Sequence, residues 1–469
     1  MRHGYEMIAF GFVLAYVALH VVFGLIAPRD AAWGFDILLY CRWWLRAIFF
    51  LLAAGAMSLV HPAAMARAET AWAWAGGRLS AVPLRLNLLK THLVLFAFSA
   101  AVLFLLETKY AGGDARWMSA SMPLFLKRSP LSSVPLVLGT RLGAMLGIPY
   151  LPSLQAGITV FGALSICGLL GLFLLLFRDA RRAWLFVAVA LASYGITRLL
   201  PGYIEVYGVY LFFLILFECA LVHYCLTGRG TGYLMGALFL LVLSHIQALV
   251  VVPGAFLVGA GVSWRRGRRW RFAASWVLLI VALAVVYPLL RHRDESFQVT
   301  REVVGLVLHG DVHSRFWSTQ GGTHLVAPLI VLLTARHWAN VADVHALVSA
   351  VGVGLLLPGL ALWWRERRAD PLIVASALNY GLYAIGTVLF YNFLQPVERD
   401  WDMFGPGALF LVVLAAAIWR HLPHEKLRRT LLIVFGVTAF VTVLWLAQQA
   451  GMPGIAPPPE IRIGFTSPD

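Results

Sequence analysis

Apolar runs of about the length that crosses a bilayer recur along almost the whole chain, and no other feature limits its fold so tightly. They lie at 7–27, 37–60, 91–106, 153–177, 184–200, 207–226, 232–245, 247–262, 273–290, 346–364, 372–391, 405–419 and 430–448. Inside lipid a crossing segment must satisfy its own backbone, so helices are the expected form. Several runs are shorter than the roughly 20 residues a spanning helix needs. The pair 232–245 and 247–262 reads either as two short helices meeting at Ser244 and His245 or as one re-entrant unit. The N-terminal run has no convincing cleavage site of the A-x-A kind and is read as a first helix rather than a signal sequence. The chain is 61% hydrophobic and only 13% charged, against about a quarter charged for a soluble domain. The fold class expected is therefore all-α, a polytopic transmembrane helical bundle of about 11–13 spans. Residues 1–469 form one bundle in this reading. Segment 107–152 is a first outer loop with interfacial helices, 291–345 a second large outer segment, and 449–469 an extended, Pro-rich tail.

The net charge is +15, which in a soluble protein would suggest nucleic acid as a partner. Here the basic residues have a different explanation. Arg178, Arg181 and Arg182, then Arg265, Arg266, Arg268, Arg269 and Arg271, then Arg365, Arg367 and Arg368, then Arg420, Lys426, Arg428 and Arg429 fill alternate connections. Positive charge in short loops marks the cytoplasmic side, so the partner expected is the lipid bilayer, with no nucleic acid. The remaining connections then face outward. They carry Asp114, Glu205, Asp294, Glu295, Asp311, Asp343, Glu398, Asp400 and Asp402, together with His245, Arg198, Arg291, Arg293 and Arg399. Carboxylates far apart in sequence are thereby expected on one membrane face. The four cysteines, Cys41, Cys167, Cys219 and Cys225, fall in apolar stretches without metal-ligand spacing or a disulfide pattern.

Four short motifs carry possible chemistry. In ETKYAGGDARW (107–117), Gly112 and Gly113 permit a tight turn that offers Asp114 at the membrane surface. Asp114 is suited to act as general base on a hydroxyl, or to cap a helix beginning near Ala115. In LLPGYIEVYGVY (199–210), Glu205 either favours a helix N-terminus or binds a substrate hydroxyl. In LVLSHIQALVVVPG (241–254), His245 and Gln247 are polar residues in an apolar stretch, which makes them substrate-binding candidates, with hydrogen bonding between helices as the alternative. In QPVERDWDMFGPG (395–407), Arg399 has the planar fork that suits a phosphate, Trp401 suits a sugar face or the interface, and Asp400 and Asp402 crowd the start of a span. An Arg–Asp pair locking the helix start is the other reading of that cluster. Arg291 and Arg293 are further phosphate candidates. His309, Asp311 and His313 alternate, but the pattern is too weak to assign a metal, and no cofactor is assigned. Arg42, Arg46 and Glu218 are ionisable residues within apolar runs that have no role in this reading.

The order of a span, an outer loop with Gly-Asp near its start, an interfacial helix and then many short spans resembles the GT-C superfamily of membrane glycosyltransferases. Only Asp114, in AGGDARW, matches a functional position of that family, the acidic base of the first outer loop. The sequence departs from the pattern in three ways: Asp114 follows the third apolar run, no large soluble outer domain is expected after the bundle, and no WWD signature is present. The resemblance implies an inverting transfer of a hexosyl or pentosyl group from a polyprenyl-phosphate-linked donor to a glycan, lipid or protein acceptor. Asp114 would be the base, and arginines such as Arg399 or Arg293 would offset the leaving phosphate. It further implies a bacterial cytoplasmic membrane, with the active site facing the periplasm or exterior. The competing expectation is a transporter or flippase of a lipid-linked or small polar substrate, for which repeated halves and broken helices near the midplane would be the signs.

Overall fold

A backbone surrounded by lipid or apolar side chains can bond only to itself, and the apolar runs are helical wherever they are described. The computed structural model describes residues 4–26, 35–81, 88–106, 130–201, 207–290, 335–366, 370–390 and 404–456. In chain order the helices are α1 (Gly4–Val21, continued by a π-helical turn Val22–Ile26), α2 (Ile37–Tyr40), α3 (Trp43–Ser58), α4 (Pro62–Ala81), α5 (Leu88–Leu105) and α6 (Pro130–Met145). Then follow α7 (Tyr150–Phe177), α8 (Ala180–Leu191), α9 (Tyr194–Thr197), α10 (Tyr207–Thr227) and α11 (Thr231–Ser244). After a 3-10 turn at Ile246–Val251 come α12 (Val252–Arg265), α13 (Arg269–Leu290), α14 (Ala335–Glu366), α15 (Pro371–Phe390), α16 (Gly407–Trp419) and α17 (His424–Gln449). Among the described residues there is no strand, and a single isolated bridge joins Cys41 to Ile455. The protein is an all-α, multi-pass membrane bundle.

Among the described residues seven helices are long and apolar enough to cross a membrane, or eight when α3 and the first part of α4, bent through 109°, are counted as one broken span. The sequence reading of 11–13 spans included runs that the structure builds as shorter apolar helices: Leu89–Leu105, Thr231–Ser244, Pro371–Ile385 and Gly407–Trp419. For α16 protein on all sides permits this, because neighbouring helices replace lipid around a short helix. Every residue of α16 is buried, Trp419 included, and the Trp419 Nε1–H donates to Leu355 O at 2.9 Å. The run 184–200 is interrupted. α8 stops at Leu191, and α9 begins again at Tyr194.

The arginine-rich connections gather at one end. Arg182 Nη1 donates to Leu422 O at 3.4 Å, and His421 Nε2 lies 2.6 Å from Asp370 Oδ2, with Arg420 Nη1 at 3.6 Å. Arg429 reaches Glu6, Glu69 and Glu425 at 3.2, 3.0 and 3.1 Å, and Arg428 reaches Glu69 at 2.7 Å. α10 runs in the same direction as α7, with Gly208 beside Ile158 and Gly168 beside Ile215. The turn after Thr227 therefore comes to the same end as Arg178. There Arg268 Nη1 donates to Gly228 O at 2.7 Å. This basic end is one pole of the molecule.

The opposite pole collects the other helix ends. Cys167 Sγ donates to His92 O at 3.4 Å, which holds α5 against α7. α14 and α16 run in parallel, with Gly352 beside Leu411 and Gly359 beside Trp419. The start of α16 therefore lies beside the kink of α14 at Ser349, and just before that kink His345 Nδ1 is 3.1 Å from Tyr380 Oη of α15. The start of the C-terminal tail folds back here: Arg42 N donates to Gly454 O at 3.0 Å and Ala456 N to Tyr40 O at 2.8 Å. Residues 457–469 lie outside the described residues.

Candidate functional site

Most of the residues singled out in the sequence lie outside the described residues: Asp114, Glu205, Arg291, Arg293, Arg399, Asp400, Trp401 and Asp402, as well as His309, Asp311 and His313. The helix ends that flank their segments are described. Leu105 and Pro130, Pro201 and Tyr207, Leu290 and Ala335, and Phe390 and Phe404 bound them. Tyr207, Leu290, Ala335 and Phe390 lie toward the pole away from the basic end, whereas Pro130 lies deeper, because α6 runs against α7 with Gly143 beside Ser153 and Leu136 beside Gly157.

His245 and Gln247 are described, and the sequence pattern accounts for their placement. Thr231–Ser244 is apolar on every side and forms α11, which has only 14 residues. At about 1.5 Å per residue it stops short of a full crossing. His245 leaves the helix in extended backbone (φ −162°, ψ 145°). Its Nδ1 then accepts the Gln247 N–H at 3.2 Å and caps the following 3-10 turn. Pro253, at the start of α12, suits the resumption of helix because it has no N–H to satisfy. The break thus has local chemistry that holds it open. Ser132 of α6 completes it by donating to Ser244 O at 2.9 Å, which occupies one of the carbonyls a helix end leaves unpaired.

With Nδ1 accepting, the neutral imidazole carries its proton on Nε2. The ring lies between two phenols, with the Tyr207 and Tyr210 centroids 4.9 and 5.3 Å away. Tyr210 is fully buried, whereas His245 is half-buried. This arrangement presents one N–H donor beside aromatic faces, at the recessed end of a broken helix. It can bind a hydroxyl or a phosphate oxygen and shelve a sugar ring against tyrosine. Of the residues picked out in the sequence, these two are the ones the described structure brings together.

Two further polar constellations had no role in the sequence reading. In the first, Ser193 Oγ, at the α8–α9 break, lies 2.7 Å from Ser349 Oγ, where α14 kinks. Ser349 Oγ also accepts the Gly352 N–H at 3.2 Å, and Thr442 Oγ1 donates to Ala192 O at 2.7 Å. Gly195 sits so close to Gly405 that an added Cβ would be 2.8 Å from the Gly405 carbonyl. Breaks in two helices and the start of a third therefore coincide. In the second constellation, fully buried Glu218, midway along α10, accepts from Asn379 Nδ2 of α15 at 3.1 Å. Glu218 Oε2 and Asn379 Oδ1 have no hydrogen-bond partner among the described residues. Glu218 was visible in the sequence as a lone carboxylate in a 21-residue apolar helix, but nothing in the sequence pointed to Asn379. Arg46 turns out to be structural, donating to Leu38 O and Leu39 O at 2.9 and 3.2 Å.

No family model, characterised protein or solved structure matches this chain. The functional reading therefore rests on the sequence motifs and on the geometry around them. Among the described residues no three His, Cys, Asp or Glu side chains are grouped as a metal site would need. All four cysteines are free thiols.

Proposed function

We propose that this protein is a membrane glycosyltransferase of GT-C type. It moves a sugar from a polyprenyl-phosphate donor to an acceptor on the non-cytoplasmic face of a bacterial cytoplasmic membrane. The observation that carries the reading is the polarity of the bundle. The helix ends at Tyr207, Leu290, Ala335 and Phe390, which flank three of the acid- or arginine-bearing segments, lie toward the pole opposite the basic rim, and His245 lies at the inner end of α11 between two tyrosines. Asp114 takes the proton of the acceptor hydroxyl. The acceptor oxygen attacks the anomeric carbon as the bond from that carbon to the phosphate oxygen breaks, and the configuration inverts. Arg399, Arg291 and Arg293 offset the charge on the departing lipid phosphate. Glu205, Asp400, Asp402, Gln247 and the His245 N–H hold sugar hydroxyls, and Trp401 stacks on the ring. The reading needs no metal or cofactor.

A transporter or flippase is the second reading, favoured by the partnerless oxygens of Glu218 and Asn379 deep in the bundle and by the coincident helix breaks. Ionisable groups at that depth mark substrate or ion pathways in many membrane proteins. One pair of variants separates the two. In membranes supplied with polyprenyl-phosphate sugars, Asp114→Asn should lower transfer by roughly 10²–10⁴-fold, the usual contribution of a general base, while Glu218→Gln leaves it intact. Transfer that persists in Asp114→Asn would overturn the glycosyltransferase. Substrate uptake into proteoliposomes that survives Asp114→Asn and is lost in Glu218→Gln would establish the transporter.

A further inference from the structure

The cations of the basic end fall into two groups. On the α14–α17 side they are matched within the chain: Arg428 and Arg429 by Glu69, Glu6 and Glu425, and Arg420 by Asp370. On the α10–α13 side they are not. There a cavity of about 680 Å³ opens between the α10–α11 and α12–α13 turns, lined by His223, Leu226, Thr227, Arg229, Arg266 and Arg268. The lining contains no carboxylate, and no described acid lies within ion-pair distance of its three arginines.

The turn itself is shaped to hold them. Gly228 has φ +63°, and a Cβ there would be 3.1 Å from Arg266 Cγ, so the bare backbone lets the Arg266 stem lie across the turn. Arg268 is anchored on Gly228 O at 2.7 Å. Gly230 has φ +83° and begins α11 without a side-chain cap, so the first-turn N–H groups of a 14-residue helix point the same way as the guanidinium charges. On the same helix ends, Tyr233, Trp264 and Trp270 are 76%, 70% and 78% exposed. Exposed tyrosine and tryptophan at this level are the mark of the headgroup layer. Three unmatched guanidinium groups, an uncapped helix N-terminus and an aromatic rim describe a receptor for an anion held at the membrane surface.

We infer that this cavity binds the phosphate of an anionic phospholipid headgroup, with Arg229, Arg266 and Arg268 as its ligands. The site is at the pole away from the proposed catalytic face and does not depend on the glycosyltransferase reading. The test uses the full chain in nanodiscs of phosphatidylcholine with and without phosphatidylglycerol, and reads lipid retained by native mass spectrometry and the shift in thermal unfolding. Each basic side chain near an anionic surface is worth about fivefold in affinity, so Arg229→Gln/Arg266→Gln/Arg268→Gln should weaken phosphatidylglycerol retention roughly hundredfold. The control Arg265→Gln/Arg271→Gln changes two exposed cations of the same rim outside the cavity and should retain the lipid as wild type does. Arg229→Gln alone, whose guanidinium makes no described intramolecular bond, should fold normally and lose about fivefold, which keeps the test valid if the triple variant is unstable. Equal retention by wild type and Arg229→Gln, or equal losses in the control, would overturn the site. A thermal shift reproduced by inorganic phosphate in phosphatidylcholine discs would assign the cavity to a soluble phosphate and overturn the lipid.

Discussion

Replacing His245 by asparagine would keep an acceptor for the Gln247 N–H and remove the Nε2 donor that faces the tyrosines. Because asparagine caps helices well, the unfolding temperature of His245→Asn should stay close to wild type. His245→Ala should lose about 1 kcal/mol, the usual value of such a cap, in fluorescence-detected unfolding in detergent. Both variants should lose sugar transfer by about tenfold, the worth of one hydrogen bond to substrate. If His245→Asn keeps full turnover, the ring is only a cap. At this scale the sequence was legible where polarity broke an apolar run. His245, Gln247 and Glu218 all stood out as ionisable or polar residues among leucines and valines. Their partners did not stand out, because Asn379 is 161 residues from Glu218 and Ser132 is 112 residues from Ser244.

The helix breaks show the same division. The sequence indicated the discontinuity at Ser244 and His245, since two apolar runs met at a polar pair. The structure makes them two short helices joined by a 3-10 turn. Run 184–200 looked continuous, because Ser193 is a residue that helices accept. At the end of α8, Ser193 meets Ser349, which comes from 156 residues away and sits where α14 kinks. Span counts read from apolar length alone likewise missed that α16, enclosed by protein, need not match the bilayer. If the two hydroxyls hold both breaks, Ser193→Ala and Ser349→Ala should be strongly non-additive. A double-mutant cycle on unfolding free energy should give a coupling of roughly 1 kcal/mol, since the second change removes a partner already lost. Additive effects would mean the breaks are set by packing around Gly195 instead.

Taken whole, the molecule has a basic pole and a pole where the broken helices open. The sequence foretold that division through the alternation of arginine-rich connections, a global pattern that needs no knowledge of contacts. Single cysteines introduced at exposed Thr227 and exposed Met145, in a cysteine-free background, should label from opposite sides of sealed vesicles, with Thr227→Cys reactive only from the cytoplasmic side. Labelling of both from one side would refute the polarity on which the enzyme reading depends.

The way α1 is held has a consequence for biogenesis. Glu6 binds Arg429, and Phe12 packs beside Gly354, so α1 takes its cation and part of its packing from the last third of the chain. During synthesis α1 has only nearby segments to pack on in the bilayer, through Phe35 and Phe49, while more than 300 further residues are inserted. Its apolar flanks are tolerated there by acyl chains, whereas Glu6 has no cation until α17 arrives. The docking of α17 onto α1 answers that acid, and a nascent chain halted before α17 would leave Glu6 without its arginine at the membrane rim.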